Sequence, residues 1–160
     1  MPPEPQTVAA PVRPARPDPR QIDPRGPQVA AGLTSVVLAL VLVLGDSTAA
    51  VVLLAAQVAV FAVGAGLGPQ HTPYAWVFRG LVRPRLAPPA ELEDVAPPRF
   101  AQAVGLAFTG VGLVALLAGA VLVAQVAVGL ALVAALLNAV FALCLGCEVY
   151  LLARRATARA

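Results

Sequence analysis

Residues 28–67 read QVAAGLTSVVLALVLVLGDSTAAVVLLAAQVAVFAVGAGL, without a single basic side chain. The one acid, Asp46, falls in Gly45-Asp46-Ser47, a turn signal in which Asp46 or Ser47 can cap a following helix. The stretch therefore reads as two apolar runs, 28–44 and 48–67, folded back on each other. A helix needs about 20 residues to cross roughly 30 Å of hydrocarbon, so the first run is slightly short and the second sufficient. A second pair follows. Residues 100–118 are apolar, Gly119 marks the return, and an apolar run continues over 121–152. That last run is much longer than one crossing requires, so its final third, from about Leu143, is expected at or beyond the membrane boundary.

The charges orient these segments. All 11 basic residues are arginines. Arg13, Arg16, Arg20 and Arg25 precede the first run; Arg79, Arg83, Arg85 and Arg99 separate the second from the third; Arg154, Arg155 and Arg159 follow the fourth. The turns near Asp46 and Gly119 carry none. Basic segments remain in the cytoplasm during insertion, which predicts a multi-pass protein of the cytoplasmic (inner) membrane with both termini inside. The fold class is an all-α membrane protein, with four transmembrane helices in two hairpins.

The composition agrees: 59% hydrophobic and 12% charged, against about 25% charged in an average soluble domain. The net charge of +3 is spread among prolines at helix ends. It argues for contact with anionic headgroups and against nucleic-acid binding. The chain divides into a Pro/Arg-rich cytoplasmic tail (1–27), a first hairpin (28–67), a cytoplasmic loop (68–99), a second hairpin (100–153) and a short tail (154–160). The first tail lacks the apolar surface to offset its ordering entropy and is expected to be disordered. Ser47-Thr48-Ala49 resembles a leader-cleavage site, but cleavage there would leave an odd number of helices for the same charge pattern.

The hairpins resemble each other. Pro24-Arg25 and Pro98-Arg99 each precede a glutamine, Gln28 and Gln102, by three residues from the arginine. Gly45 matches Gly119 at the same offset (119 − 45 = 74, 99 − 25 = 74). Ala56-Gln57-Val58-Ala59-Val60 recurs as Ala124-Gln125-Val126-Ala127-Val128, at an offset of 125 − 57 = 68. Together these suggest a parallel internal repeat about an axis along the membrane normal. Ala101, Gly105 and Thr109 recur at steps of four, as do Ala127, Ala131, Ala135 and Ala139; small residues on one face let helices approach closely in lipid. Such faces are also compatible with a homodimer. Gln57, Gln125 and Asn138 are the main polar residues within the spans. No carboxylate or basic residue lies mid-span, so a proton-coupled transporter finds little support.

Within the loop, Tyr74, Trp76, Phe78 and Arg79 fit a short amphipathic segment at the lipid boundary, with rings at headgroup depth and the arginine reaching for water or phosphate. Pro84 should end it. Glu91, Glu93 and Asp94 can pair with Arg83 and Arg85, but exposed pairs contribute little.

Several separated stretches carry a family resemblance. They are Pro73-Tyr74, Phe78-Arg79, Leu81 through Leu86, Pro88 through Asp94, Arg99-Phe100-Ala101-Gln102, and Cys144-Leu145-Gly146-Cys147-Glu148-Val149-Tyr150. In this order, over about residues 22–155, the chain resembles the small bacterial membrane proteins of domain of unknown function 4395, common in actinobacteria. The resemblance implies a four-helix membrane fold and no established activity. It also implies thioredoxin-like or sulfurtransferase proteins as partners, from gene neighbourhoods associated with the family.

Cys144 and Cys147 are the only cysteines and have C-x-x-C spacing. On a helix they lie about 60° apart around the axis, so the thiols are neighbours, with Glu148 one turn after Cys144. In a reducing cytoplasm such a pair suits reversible redox work, sulfur transfer or metal ligation rather than a permanent disulfide. An unbroken final helix would place both thiols near its negative end, where the dipole and Glu148 disfavour thiolate and a disulfide strains the backbone. Gly146 could permit local unwinding. A zinc set of Cys144, Cys147, His71 and Glu148 is suitable in ligand type but lacks a second C-x-x-C or a His pair, so no metal or other cofactor is assigned. The leading reading is a cytoplasm-facing dithiol protein in thiol redox or sulfur-transfer metabolism. In it Cys144 and Cys147 react and Glu148 tunes them or relays protons. The alternative is a non-catalytic membrane scaffold that docks a partner through its Pro-rich loop, in which the cysteines are small apolar helix residues.

Overall fold

The computed structural model describes residue 18 and residues 20–158. Four helices are long and apolar enough to cross a membrane: α1 (Arg25–Leu44), α2 (Thr48–Gly66), α4 (Ala96–Leu117) and α5 (Val121–Phe141). Two shorter helices, α3 (Pro73–Val77) and α6 (Leu145–Thr157), follow the two hairpins. A two-residue strand β1 (Gln21–Ile22) pairs antiparallel with β2 (Glu93–Asp94), joining the segment before α1 to the segment before α4. Much of the proline-rich tail lies outside the described residues, but its last part is structured, since α1 already begins at Arg25.

Local chemistry accounts for the helix ends. Asp23 Oδ1 accepts the Arg25 N–H at 3.0 Å, starting α1 earlier than hydropathy alone places it. In α4, Pro97 and Pro98 occupy the first turn, where the missing N–H has no intrahelical partner to lose. Ser47, a predicted cap, accepts the Ala50 N–H at 3.2 Å and starts α2.

The long helices form a ring in the order α1–α2–α4–α5, each packed on its two neighbours. Gln28 at the start of α1 donates to the Ala139 carbonyl near the end of α5 at 3.1 Å. Arg99 at the start of α4 donates to the Ala65 carbonyl at the end of α2. All neighbours are therefore antiparallel. One end of the bundle holds the two turns and the other, the basic end, holds α3, α6 and the strand pair.

The core cluster lies toward the turn end, around Leu38, Val41, Ala50, Leu54, Ala115, Leu116, Ala124, Val128 and Ala131. Around the bundle as a whole runs a belt of exposed apolar side chains, among them Val43, Val52, Leu122, Val140 and Phe141. Such a belt is at home in hydrocarbon rather than water. Close packing rests on small residues: a Cβ on Gly105 would lie 2.6 Å from the Phe61 ring, and one on Gly112 would lie 2.9 Å from Val128.

The repeat is visible in three dimensions, at a single offset. Gly45 and Gly119 both have positive φ, as do Gly68 and Ala142 (142 − 68 = 74). Ser35 donates to the Ala31 carbonyl and Thr109 to the Gly105 carbonyl (109 − 35 = 74). In the second helices the buried pairs are Ala50 with Ala124, Leu54 with Val128 and Gln57 with Ala131, again 74 apart (124 − 50, 128 − 54, 131 − 57). The literal Ala-Gln-Val-Ala-Val match at offset 68 is out of register. It pairs buried Gln57 with Gln125, which is exposed. Each unit also has a third member: α3 packs on α1, and α6 packs correspondingly on α4. The two hairpins are thus each followed by a short surface helix, so that the repeating unit is helix, helix and short helix.

Candidate functional site

The last apolar run is two helices. α5 ends where Ala142 takes a left-handed conformation (φ 54°), and the Leu143 N–H returns to the Leu137 carbonyl at 3.2 Å. The chain is extended at Cys144 and re-enters a helix at Leu145. This corrects the expectation that both cysteines lie late in one long helix. Cys144 is the N-cap of α6, and its Sγ accepts the Cys147 N–H at 3.3 Å. Its carbonyl accepts the Glu148 N–H at 3.0 Å. Helix N-termini present unpaired N–H groups and the positive end of the dipole, so the local field has the opposite sign to that of the unbroken helix.

Cys144 and Cys147 are joined as a disulfide, with Cα atoms 5.2 Å apart. Both residues are partly exposed. The expected difficulty of a disulfide inside an unbroken helix does not arise, because residues 142–144 lie outside helical geometry. Glu148 is exposed in the first turn of α6, where a carboxylate suits the dipole.

The position of the pair is set by α4. A Cβ on Gly146 would lie 2.7 Å from the Ala101 Cα, so α6 passes over α4 with almost no side chain between them. One turn on, the Tyr150 and Phe100 rings pack at 5.7 Å between centroids. Leu145, Val149 and Leu152 recur on another face of α6 and are exposed, while Arg154 and Arg155 occupy its last turn. Among the described residues no three His, Cys, Asp or Glu side chains converge as a metal site would require. The zinc set considered from sequence is not assembled, and His71 is exposed in a separate 3-10 turn, Pro69–His71.

The aromatic segment divides between protein and surroundings. Trp76 is 63% exposed and Arg79 is exposed, donating to the Gln70 carbonyl at 3.1 Å. Phe78 is only 4% exposed and lies on Gly26 of α1. Tyr74 turns inward and donates to Gln57 Oε1 at 2.6 Å. Gln57, 1% exposed, donates in turn to Thr34 Oγ1 at 3.4 Å. Burial raises the Tyr74 phenol above its usual value of 10.0. This chain pins α3 to α1 and α2. Sequence reasoning flagged Gln57 and Tyr74 separately; their separation of 17 residues across a loop gave no cue that they meet. Asn138 is half-buried, while Gln125 lies on the outer surface.

A multi-pass helical membrane protein with a partly exposed Cys144–Cys147 disulfide at its basic end is thus defined by fold and geometry. The chain belongs to the family described as Domain of unknown function (DUF4395), whose model matches residues 22–155. No curated protein and no solved structure matches it significantly.

Proposed function

We propose that this protein is a membrane-anchored dithiol–disulfide carrier that exchanges electrons or sulfur with a soluble partner at the cytoplasmic face. The supporting observation is the position of Cys144 at the cap of α6, bonded to Cys147 and accepting a first-turn amide hydrogen bond. Such a position favours thiolate, the reactive form. In the reduced protein the Cys144 thiolate attacks a partner disulfide, forming a mixed disulfide and releasing one partner thiolate. The Cys147 thiolate then attacks the Cys144 sulfur, closing the internal disulfide and releasing the second partner thiolate. Two electrons pass to the partner, and the reverse sequence restores the dithiol. In this reading Glu148, the exposed residue that follows Cys147 in sequence, takes the Cys147 proton. The arginine distribution supports a cytoplasmic basic end. Thioredoxin-like and sulfurtransferase proteins are the partner classes whose chemistry fits.

The test is thiol trapping by alkylation in living cells, read by intact mass. A substantial fraction with the cysteines joined, or carrying added sulfur, is the expected result. Two plain alkylated thiols under every growth condition would reject the reading in favour of a scaffold. A membrane-impermeant alkylating reagent applied to inverted and right-side-out vesicles checks the orientation separately.

A further inference from the structure

A second site lies at the basic end, away from the cysteines. A cleft of about 230 Å³ opens between the segment preceding α1, the first turns of α1, and the stretch from the 3-10 turn to the residues just after α3. Its floor is apolar, formed by Ile22, Pro27, Ala30, Phe78 and Leu92. Arg79 and Arg83 line its rim. They stand four apart on and just after a π-helical turn, Phe78–Val82, a rare pattern often associated with functional sites.

Two acids, Asp18 and Asp23, also line the cleft, and only Asp23 is paired with a cation among the described residues. Asp23 receives Arg25 through Nε at 3.0 Å and Nη2 at 2.9 Å, the sole ion pair among the described residues. Asp18 accepts the Arg20 N–H at 2.9 Å. Among the described residues Arg83 bonds no carboxylate, although its charge helps Arg25 hold the Asp23 carboxyl below its usual value. Arg79 spends one N–H on the Gln70 carbonyl, and its other guanidinium donors have no partner among the described residues. Gln70 also lines the cleft, and its Oε1 is buried against Gly68 without a donor among the described residues.

We infer that this cleft binds the headgroup of an anionic phospholipid, with phosphate on Arg79 and Arg83 and the start of an acyl chain on the apolar floor. Guanidinium groups suit phosphate because their donors match its oxygens in pairs. The floor and the location, where membrane-spanning helices end, select a lipid over free phosphate. The exposed Trp76 and Leu81 on the adjoining helical stretch are consistent with contact with the bilayer. The inference does not depend on the thiol reading.

The experiment uses the full chain in nanodiscs of mixed phosphatidylglycerol and phosphatidylcholine. After release into mild detergent, native mass spectrometry counts retained lipid. Wild type should retain phosphatidylglycerol preferentially. Arg79→Gln with Arg83→Gln should reduce that retention about tenfold, whereas Arg155→Gln should leave it unchanged. Arg83→Gln alone removes an exposed side chain and should reduce retention severalfold with helicity and thermal unfolding unaltered, which separates binding from misfolding. Ala30→Phe fills the floor with both arginines intact and should also lower retention. Equal retention of the two lipids by wild type would overturn the inference, as would unchanged phosphatidylglycerol retention in the double variant. Arginine-dependent binding of orthophosphate without lipid would overturn the lipid assignment.

Discussion

The two halves of the bundle share a frame and differ in what they hang on it. Each has two long antiparallel helices, a glycine turn with positive φ, a second positive-φ residue at its end, and a short helix folded over its own first long helix. In the first half that short helix is tied inward. Tyr74 enters the polar chain with Gln57 and Thr34, and Phe78 covers Gly26. In the second half the short helix rests on α4 through Gly146, and its capping position carries Cys144. The buried partner of Gln57 in the second half is Ala131, so no polar chain forms there. A repeated frame thus supports one surface helix locked by hydrogen bonds and another that presents two sulfurs.

The sharpest way to break this comparison is through the sulfurs. Cys147→Ser should convert transient exchange at Cys144 into accumulated mixed disulfides with partner proteins on non-reducing gels, while Cys144→Ser should yield none. Equal adducts from both variants would remove the asymmetry assigned to the cap.

Packing comes next. Gly146→Val must push against the Ala101 backbone and should detach α6, whereas Gly105→Val should strain the bundle itself through Phe61. Each overpacking change is expected to cost about 1–3 kcal/mol. Hydrogen exchange should register the first as loss of protection confined to residues 145–157 and the second across α2 and α4. A bundle-wide effect from Gly146→Val would show that α6 belongs to the core.

The inward tie is tested by Tyr74→Phe, which removes the phenol donor from Gln57 Oε1 and should destabilise by about 1–2 kcal/mol. Combining it with Gln57→Leu should cost less than the sum of the single changes, because the Tyr74–Gln57 bond is lost only once and Gln57 Oε1 is no longer left without its donor. Chemical unfolding in detergent measures both.

The two positive-φ exits offer a smaller contrast. Ala142→Gly relieves a left-handed alanine and should stabilise by up to about 1 kcal/mol, while Gly68→Ala should destabilise by at least as much. Opposite shifts in thermal midpoint are expected.

The smallest effect concerns pH. The Arg25 hydrogen bond holds the Asp23 carboxyl below its ordinary 3.8. A lowered folded pKa means that the stabilisation is complete above about pH 3.8 and is lost as pH falls through the lower folded value. Proteolytic nicking of residues 86–92 should rise only at such acidity, since Arg25 also holds the Ala87 carbonyl at 3.0 Å. A change between roughly pH 5 and 8 would point to a different group.

Much of the architecture was legible in the chain because lipid makes a simple demand: every backbone polar group must be satisfied within a long apolar helix. Uninterrupted apolar runs and arginine-free turns therefore marked all four crossings, and Gly45 and Gly119 marked both returns. The site was legible only in part. The C-x-x-C spacing singled out two sulfurs, and the excess length of residues 121–152 placed them at or beyond the membrane boundary, but the two were expected late in one long helix. No glycine or proline stands at position 142 to mark the break, and the apolar text continues through it. The letter-for-letter match at residues 56–60 and 124–128 likewise misled, because Ala and Val recur throughout these helices, on buried and exposed faces alike, and carry little register information.

The sequence by itself determined that this chain crosses a bilayer four times and keeps its arginines at one end, since hydropathy and charge act locally and need no partner. Tertiary structure decided that Cys144 caps a helix instead of lying inside one. The close passage of Gly146 over Ala101 fixes where α6 starts, and with it the field at the sulfur. That contact joins residues distant in sequence, so its effect on the thiols emerges only when the helices are packed.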